Sequence, residues 1–272
     1  SSLTEMDIVD LRIAKGLARA KENEAVYEGM VKIAATNTAS LNNLGVARTH
    51  TANALFESGR IAAARDKYRA AAAVREKMLK IGSFQARNAM IWLGIAADFD
   101  AELGEFASAR ADLAEARRLW EQHIKPTSAP LVVGFSRLWI EGFEAGIALS
   151  EGNLQKALQH ARGILAGTGE LKPVSQADGE WLRRLRIRAN QVIGIACLEL
   201  GDFAAAESAA RAILADRKGL PKWDGPFGTD RDRAGFETML AAAVARQGRT
   251  AEAREILKPA LKYHRDQYAR RH

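Results

Sequence analysis

The residues that carry chemistry in this chain are a run of arginines, five histidines and one cysteine. Their spacing limits what they can do. Arg183, Arg184, Arg186 and Arg188 follow Trp181 and interleave with Leu182, Leu185 and Ile187. On a helix these arginines splay around more than one face. A nucleic-acid stripe keeps its charges on one side, so the run reads as a solvated face with salt bridges or as a site for an acidic partner, and it argues against nucleic acid. The histidines, His50, His123, His160, His264 and His272, fall in different segments without ligand spacing. They read as surface or helix-end residues. Cys197 lies between Ala196 and Leu198 and reads as a small buried hydrophobe rather than a reactive thiol. Gly167-Thr168-Gly169 lacks the strand, turn and third glycine of a phosphate site. No serine elbow, paired-histidine helix or dinucleotide fingerprint is present. The expectation is a protein without catalytic residues, metal or cofactor.

The elements that position these residues announce themselves by repetition. Gly59, Gly104, Gly152, Gly201 and Gly248 each close an apolar, alanine-rich stretch. Five residues after each comes an alanine: Ala64, Ala109, Ala157, Ala206 and Ala253. Seven residues before each comes a small residue: Ala52, Ala97, Ala145, Gly194 and Ala241. The phrase reads as helix, tight turn, helix. Glycine suits the left-handed position past a helix end. Small residues on the two helices allow close crossing, and larger ones at three- and four-residue spacing form the apolar face. Repetition at a long fixed period is the mark of stacked supersecondary units.

This pattern resembles the tetratricopeptide repeat (TPR) family across about Thr38 to Tyr268. The resemblance implies an all-α, right-handed α-solenoid of about five helix–turn–helix repeats. Two features depart from it. The turn glycines are 45, 48, 49 and 47 residues apart, against a family period of about 34. The family's proline is mostly missing, with Pro126 and Pro259 its nearest candidates. The longer period calls for helices near 20 residues, roughly 30 Å each, or for longer connectors.

Composition agrees. The chain has 272 residues, 47% hydrophobic, with six prolines and a net charge of +7. This suits a globular helical protein with an ample core. One cysteine excludes an internal disulfide. No run approaches the ~20 apolar residues of a membrane span, and no signal peptide is visible. The expected location is the cytoplasm, with a periplasmic domain of a larger protein as the alternative.

Along the chain, residues 1–37 read as a long capping helix and 38–272 as one continuous solenoid. The helix pairs are expected at 38–58 with 60–81, 84–103 with 105–124, 130–151 with 153–166, 175–200 with 202–217, and 230–247 with 249–269. Residues 167–175 read as a loop. The longest irregular stretch, 218–229, holds Trp223 and Phe227. These either pin the loop to neighbouring helices or anchor a partner. Trp92, Trp120, Trp139 and Trp181 read as packing residues. Glycines inside helices, Gly94, Gly142 and Gly146, read as close-approach points.

The resemblance also implies a concave face lined by the first helix of each pair, where partners bind as peptides. Projected through the turn glycines, that face carries Thr49, Asn53, Phe56, Asp98, Trp139, Arg188, Gln191 and Thr238. Asn53 takes a clamp-like position, but the family's other clamp residues are missing. With Trp223 and Phe227 of the loop, Asn53, Asp98, Trp139, Arg188 and Gln191 are the candidate partner-binding residues. The function expected is a non-catalytic scaffold or adaptor binding a peptide or helix, within a larger bacterial regulatory or assembly protein. The alternative is a ligand- or peptide-sensing domain that controls an attached effector.

Overall fold

In a computed structural model, residues 5–79, 83–218, 220 and 230–269 are described. All the regular structure among them is helical. The helices are α1 (Glu5–Ile33), α2 (Thr38–Glu57), α3 (Ile61–Glu76), α4 (Ser83–Glu102), α5 (Phe106–Leu119), α6 (Pro130–Ser150), α7 (Leu154–Glu170), α8 (Gln176–Leu200), α9 (Phe203–Arg217), α10 (Asp230–Arg246) and α11 (Thr250–Ala269). A single π turn, Trp120–Ile124, extends α5.

The five glycine turns have one geometry. Gly59, Gly104, Gly152, Gly201 and Gly248 have φ of 76°, 77°, 76°, 80° and 81°, the left-handed region that favours glycine. The residue after each glycine donates its N–H to the carbonyl five positions back. Examples are Arg60 to Leu55 at 2.9 Å, Glu105 to Asp100 at 2.8 Å and Asp202 to Cys197 at 2.9 Å. These bonds satisfy carbonyls that a helix end leaves open. Arg60 and Glu105 make no side-chain cap, whereas two later turns add one at the start of the next helix. Asn153 accepts from the Lys156 N–H and Asp202 from the Ala205 N–H. Asn37 and Ser175 cap α2 and α8 in the same way.

Three boundaries differ from the sequence expectation, the first being that α3, expected to reach residue 81, ends at Glu76. The 167–175 loop is shorter, because α7 continues through Gly167 and Thr168, both buried, to Glu170. The Thr168 hydroxyl donates to the Leu165 carbonyl at 2.8 Å, holding that last turn in helical form. The second helix of the 84–124 pair changes to π geometry at Trp120, where Lys125 N–H reaches Trp120 O at 2.8 Å.

The chain divides into two compact units, Ser1–Phe143 and Glu144–His272. In the first, each of α1 to α5 packs on its neighbour in chain order. Leu41, Leu44, Val74 and Met78 form one core beneath Tyr27 and Val31. Ala52, Leu55, Ala64, Tyr68, Ala96 and Phe99 form another. Here Ala52 and Ala64 are the small residues flanking the first glycine turn, both fully buried. In the second unit α7 to α11 again pack in chain order, and α8 also meets α10. Ala241 and Ala253, which flank the last turn, share a core with Ile187, Ile213 and Val244.

Glycines within helices mark the crossings. A Cβ on Gly45 of α2 would lie 3.4 Å from the Trp92 ring of α4. One on Gly94 of α4 would fall inside the Phe143 ring of α6. One on Gly194 of α8 would lie 2.6 Å from the Met239 sulfur of α10. Each time, a glycine on the first helix of one pair receives a large side chain from the first helix of the next.

Candidate functional site

In the first unit, Asn53 and Asp98 stand one turn or less from an aromatic contact between α2 and α4. Phe56 stacks on Phe99, with centroids 5.1 Å apart and planes 24° from parallel. Tyr68 of α3 tilts against Phe99 at 5.9 Å, and its hydroxyl donates to Asn53 Oδ1. Asn53 is exposed. With its carbonyl turned inward to Tyr68, its amide N–H groups point outward as donors. Burial pushes the Tyr68 phenol up to about 12, so it stays a neutral donor. Asp98 is half-buried beside Phe99.

A charge network lies under this face, and sequence reasoning missed it. Asp100 is fully buried. Its carboxylate accepts from Arg65 at 2.9 Å and from Arg69. Arg69 also reaches Asp112 at 2.7 Å and the Ser108 hydroxyl at 2.7 Å. Arg65 pairs with Glu105 at 2.6 Å. Burial raises Asp112 above its ordinary value against the pull of Arg69. The network joins α3, α4 and the start of α5 around the Gly104 turn. A buried charge is held only when it is paired and hydrogen-bonded.

Arg75 of α3 was also missed. It is buried against the Trp92 ring, 5.1 Å from its centroid. It donates to Asn42 and, at 2.7 Å, to Gln85, and burial lowers its basicity. The signal available was Gly45, whose missing side chain makes room for both Arg75 and Trp92.

In the second unit the arginine run resolves into separate roles. Arg184 is buried, with its guanidinium 5.9 Å from the Trp181 ring. Arg186 grips Asp216 of α9 through two bonds of 2.9 and 2.5 Å, which raises its basicity further. Arg188 and Gln191 are half-buried on α8. The run therefore divides among several faces of α8, with Arg184 turned inward and Arg186 tied to α9.

Trp181 sits differently from expectation, and Trp139 takes the packing position rather than the groove position read for it. Trp139 is only 8% exposed and packs on Phe143 at 5.9 Å, so its ring belongs to the interior. Trp181 is 44% exposed rather than packed away. Thr238 is exposed, and its hydroxyl donates to the Ala234 carbonyl at 2.8 Å. Trp223 and Phe227 lie outside the described residues. Cys197 is buried, and burial raises its thiol above the ordinary value, as a packing residue requires. His160 lies 3.5 Å from Glu144.

No protein-family model matches the chain. No curated protein matches its sequence. Among solved structures, the fold is similar to that of BtubC (BKLC) from P. vanneervenii. The TM-score is 0.62 at 13% identity, over 94% of this chain and 92% of that one. At this identity the likeness is one of fold. No helix among the described residues is long and apolar enough to cross a membrane.

Proposed function

We propose that the chain is a TPR-like α-solenoid that works as a non-catalytic protein-interaction module. The observation that carries the reading is the recurrent turn. Five glycines take one left-handed conformation at near-equal spacing, and glycines on first helices receive side chains from the next first helix. Within each unit such stacking sets first helices side by side, a surface suited to a peptide or helix.

On this reading the binding residues are Asn53 and Asp98 in the first unit, with Phe56 as an apolar floor, and Arg188 and Gln191 in the second. Asn53 offers hydrogen-bond donors, Asp98 an acceptor and Arg188 a cation. In the first unit the donors, the acceptor and the apolar floor suit a peptide with both polar and apolar side chains, and in the second Arg188 suits an acidic one. Trp139 has no place in it.

The test is a set of paired baits in a pull-down from nuclease-treated lysate. One bait is unmodified. A second carries Asn53→Asp and Asp98→Ala, and a third Arg188→Ala and Gln191→Ala. Asn53→Asp keeps an acceptor for Tyr68 while removing the outward donors. A protein held by the first bait and lost from a variant supports the assignment. Equal retention by all three moves the site off these helices.

A further inference from the structure

The outward side of α1 carries two features that fit each other. Toward its C-terminal end, Val26, Met30 and Ile33 are 59%, 45% and 90% exposed. Their spacing places them on one face of the helix. Leu17, Tyr27 and Val31 pack inward instead. An exposed apolar stripe of this kind marks an interaction surface. Toward the N-terminal end, α1 and α2 flank a shallow, open groove of about 480 Å³. Gly16, Ala20 and Ala54 line it, with Arg19, Asn23 and His50 around them. A Cβ on Gly16 would meet nothing within 4 Å.

We propose that this face binds a second copy of the chain through antiparallel packing of two α1 helices. The bulky stripe and the small-floored groove lie roughly 15 Å apart along one helix at 1.5 Å per residue. An antiparallel pair sets Ile33 against Gly16, Met30 against Ala20 and Val26 against Asn23. All three pairings share one centre near Glu24 and Ala25, so a single two-fold axis satisfies them together. Each copy's stripe then fills the other's groove, the self-complementary arrangement a two-fold interface requires. The charges agree as well. Arg19 falls beside the C-terminal end of the opposing α1, where the helix dipole favours a cation. It has no ion-pair partner among the described residues.

Sedimentation equilibrium on the whole chain over a wide concentration range tests this. The unmodified protein is expected to pass from monomer to dimer. Met30→Glu with Ile33→Glu removes the stripe, and Gly16→Leu fills the groove. Each is expected to weaken association at least tenfold. Gly16→Leu adds helix propensity and its Cβ meets nothing within 4 Å, and an unchanged thermal midpoint for this variant separates lost association from unfolding. Mixing the two variants is expected to restore a heterodimer, because the Gly16→Leu copy still offers a stripe to the intact groove of the other. A monomer at every concentration overturns the proposal, as does a dimer indifferent to both variants.

Discussion

Phe143 occupies the space that a side chain on Gly94 would need. The ring belongs to α6 and the glycine to α4, so the crossing of these first helices depends on a missing methyl group. Phe143 is fully buried and braced by Trp139, and it has little room to yield. Gly94→Ala is therefore expected to destabilise the protein by about 1–3 kcal/mol through overpacking, despite the better helix propensity of alanine. Adding Phe143→Leu is expected to return part of the loss. Gly194→Ala meets a flexible methionine instead and is expected to cost less. Urea midpoints for the three variants check the order, and an unchanged midpoint for Gly94→Ala contradicts it.

The turn glycines are constrained for a different reason. Gly201 has φ of 80°, and the N–H groups of Gly201 and Asp202 close the end of α8 onto Leu198 and Cys197. Nothing crowds its Cβ position, so a substitution there tests backbone conformation alone. Gly201→Ala is expected to cost about 1 kcal/mol and Gly201→Asn less, since asparagine tolerates the left-handed region better. Thermal unfolding of the two variants checks the ranking.

Asp100 is held by Arg65 and Arg69 out of contact with water. Asp100→Ala is expected to cost about 3 kcal/mol, the lower end for breaking a buried pair. The arginines keep Glu105 and Asp112 as partners, which limits the loss. A double-mutant cycle with Arg69→Ala measures the coupling. Strictly additive effects contradict a shared network.

The burial of the Tyr68 phenol gives a signature at high pH. The Tyr68 phenol has a folded-state value of about 12 against an ordinary 10.0. A value raised in the folded state adds stability in full below about pH 10, and this is lost as pH rises from there through about 12. Of the four tyrosines, Tyr68 is expected to ionise late in an absorbance titration, and Tyr68→Phe should remove that late step. A titration unchanged by the substitution contradicts the burial argument.

Much of the helical plan is legible in the residues. Each turn glycine is followed by a new helix, and each small residue near it is buried. Local signals of this kind depend on a few neighbours along the chain. The misplaced features depend on distant ones. Trp181 looks apolar along its own helix, but exposure is set by what other helices cover. Trp139 fits a groove by projection, yet it is buried beside Phe143. The Asp100 network joins residues more than thirty positions apart, and its arginines look like any others on a solvated face. Arg75 had a signal in Gly45, which only makes sense once Trp92 is seen to fill the same space.

The measurement closest to the central claim is hydrogen exchange on the chain with and without a partner captured by the unmodified bait. Protection is predicted on first helices, in α2 and α4 around Asn53, Phe56 and Asp98 or in α8 around Arg188 and Gln191. Protection confined to α3, α5, α7, α9 and α11 would contradict an interaction module that binds through its first helices.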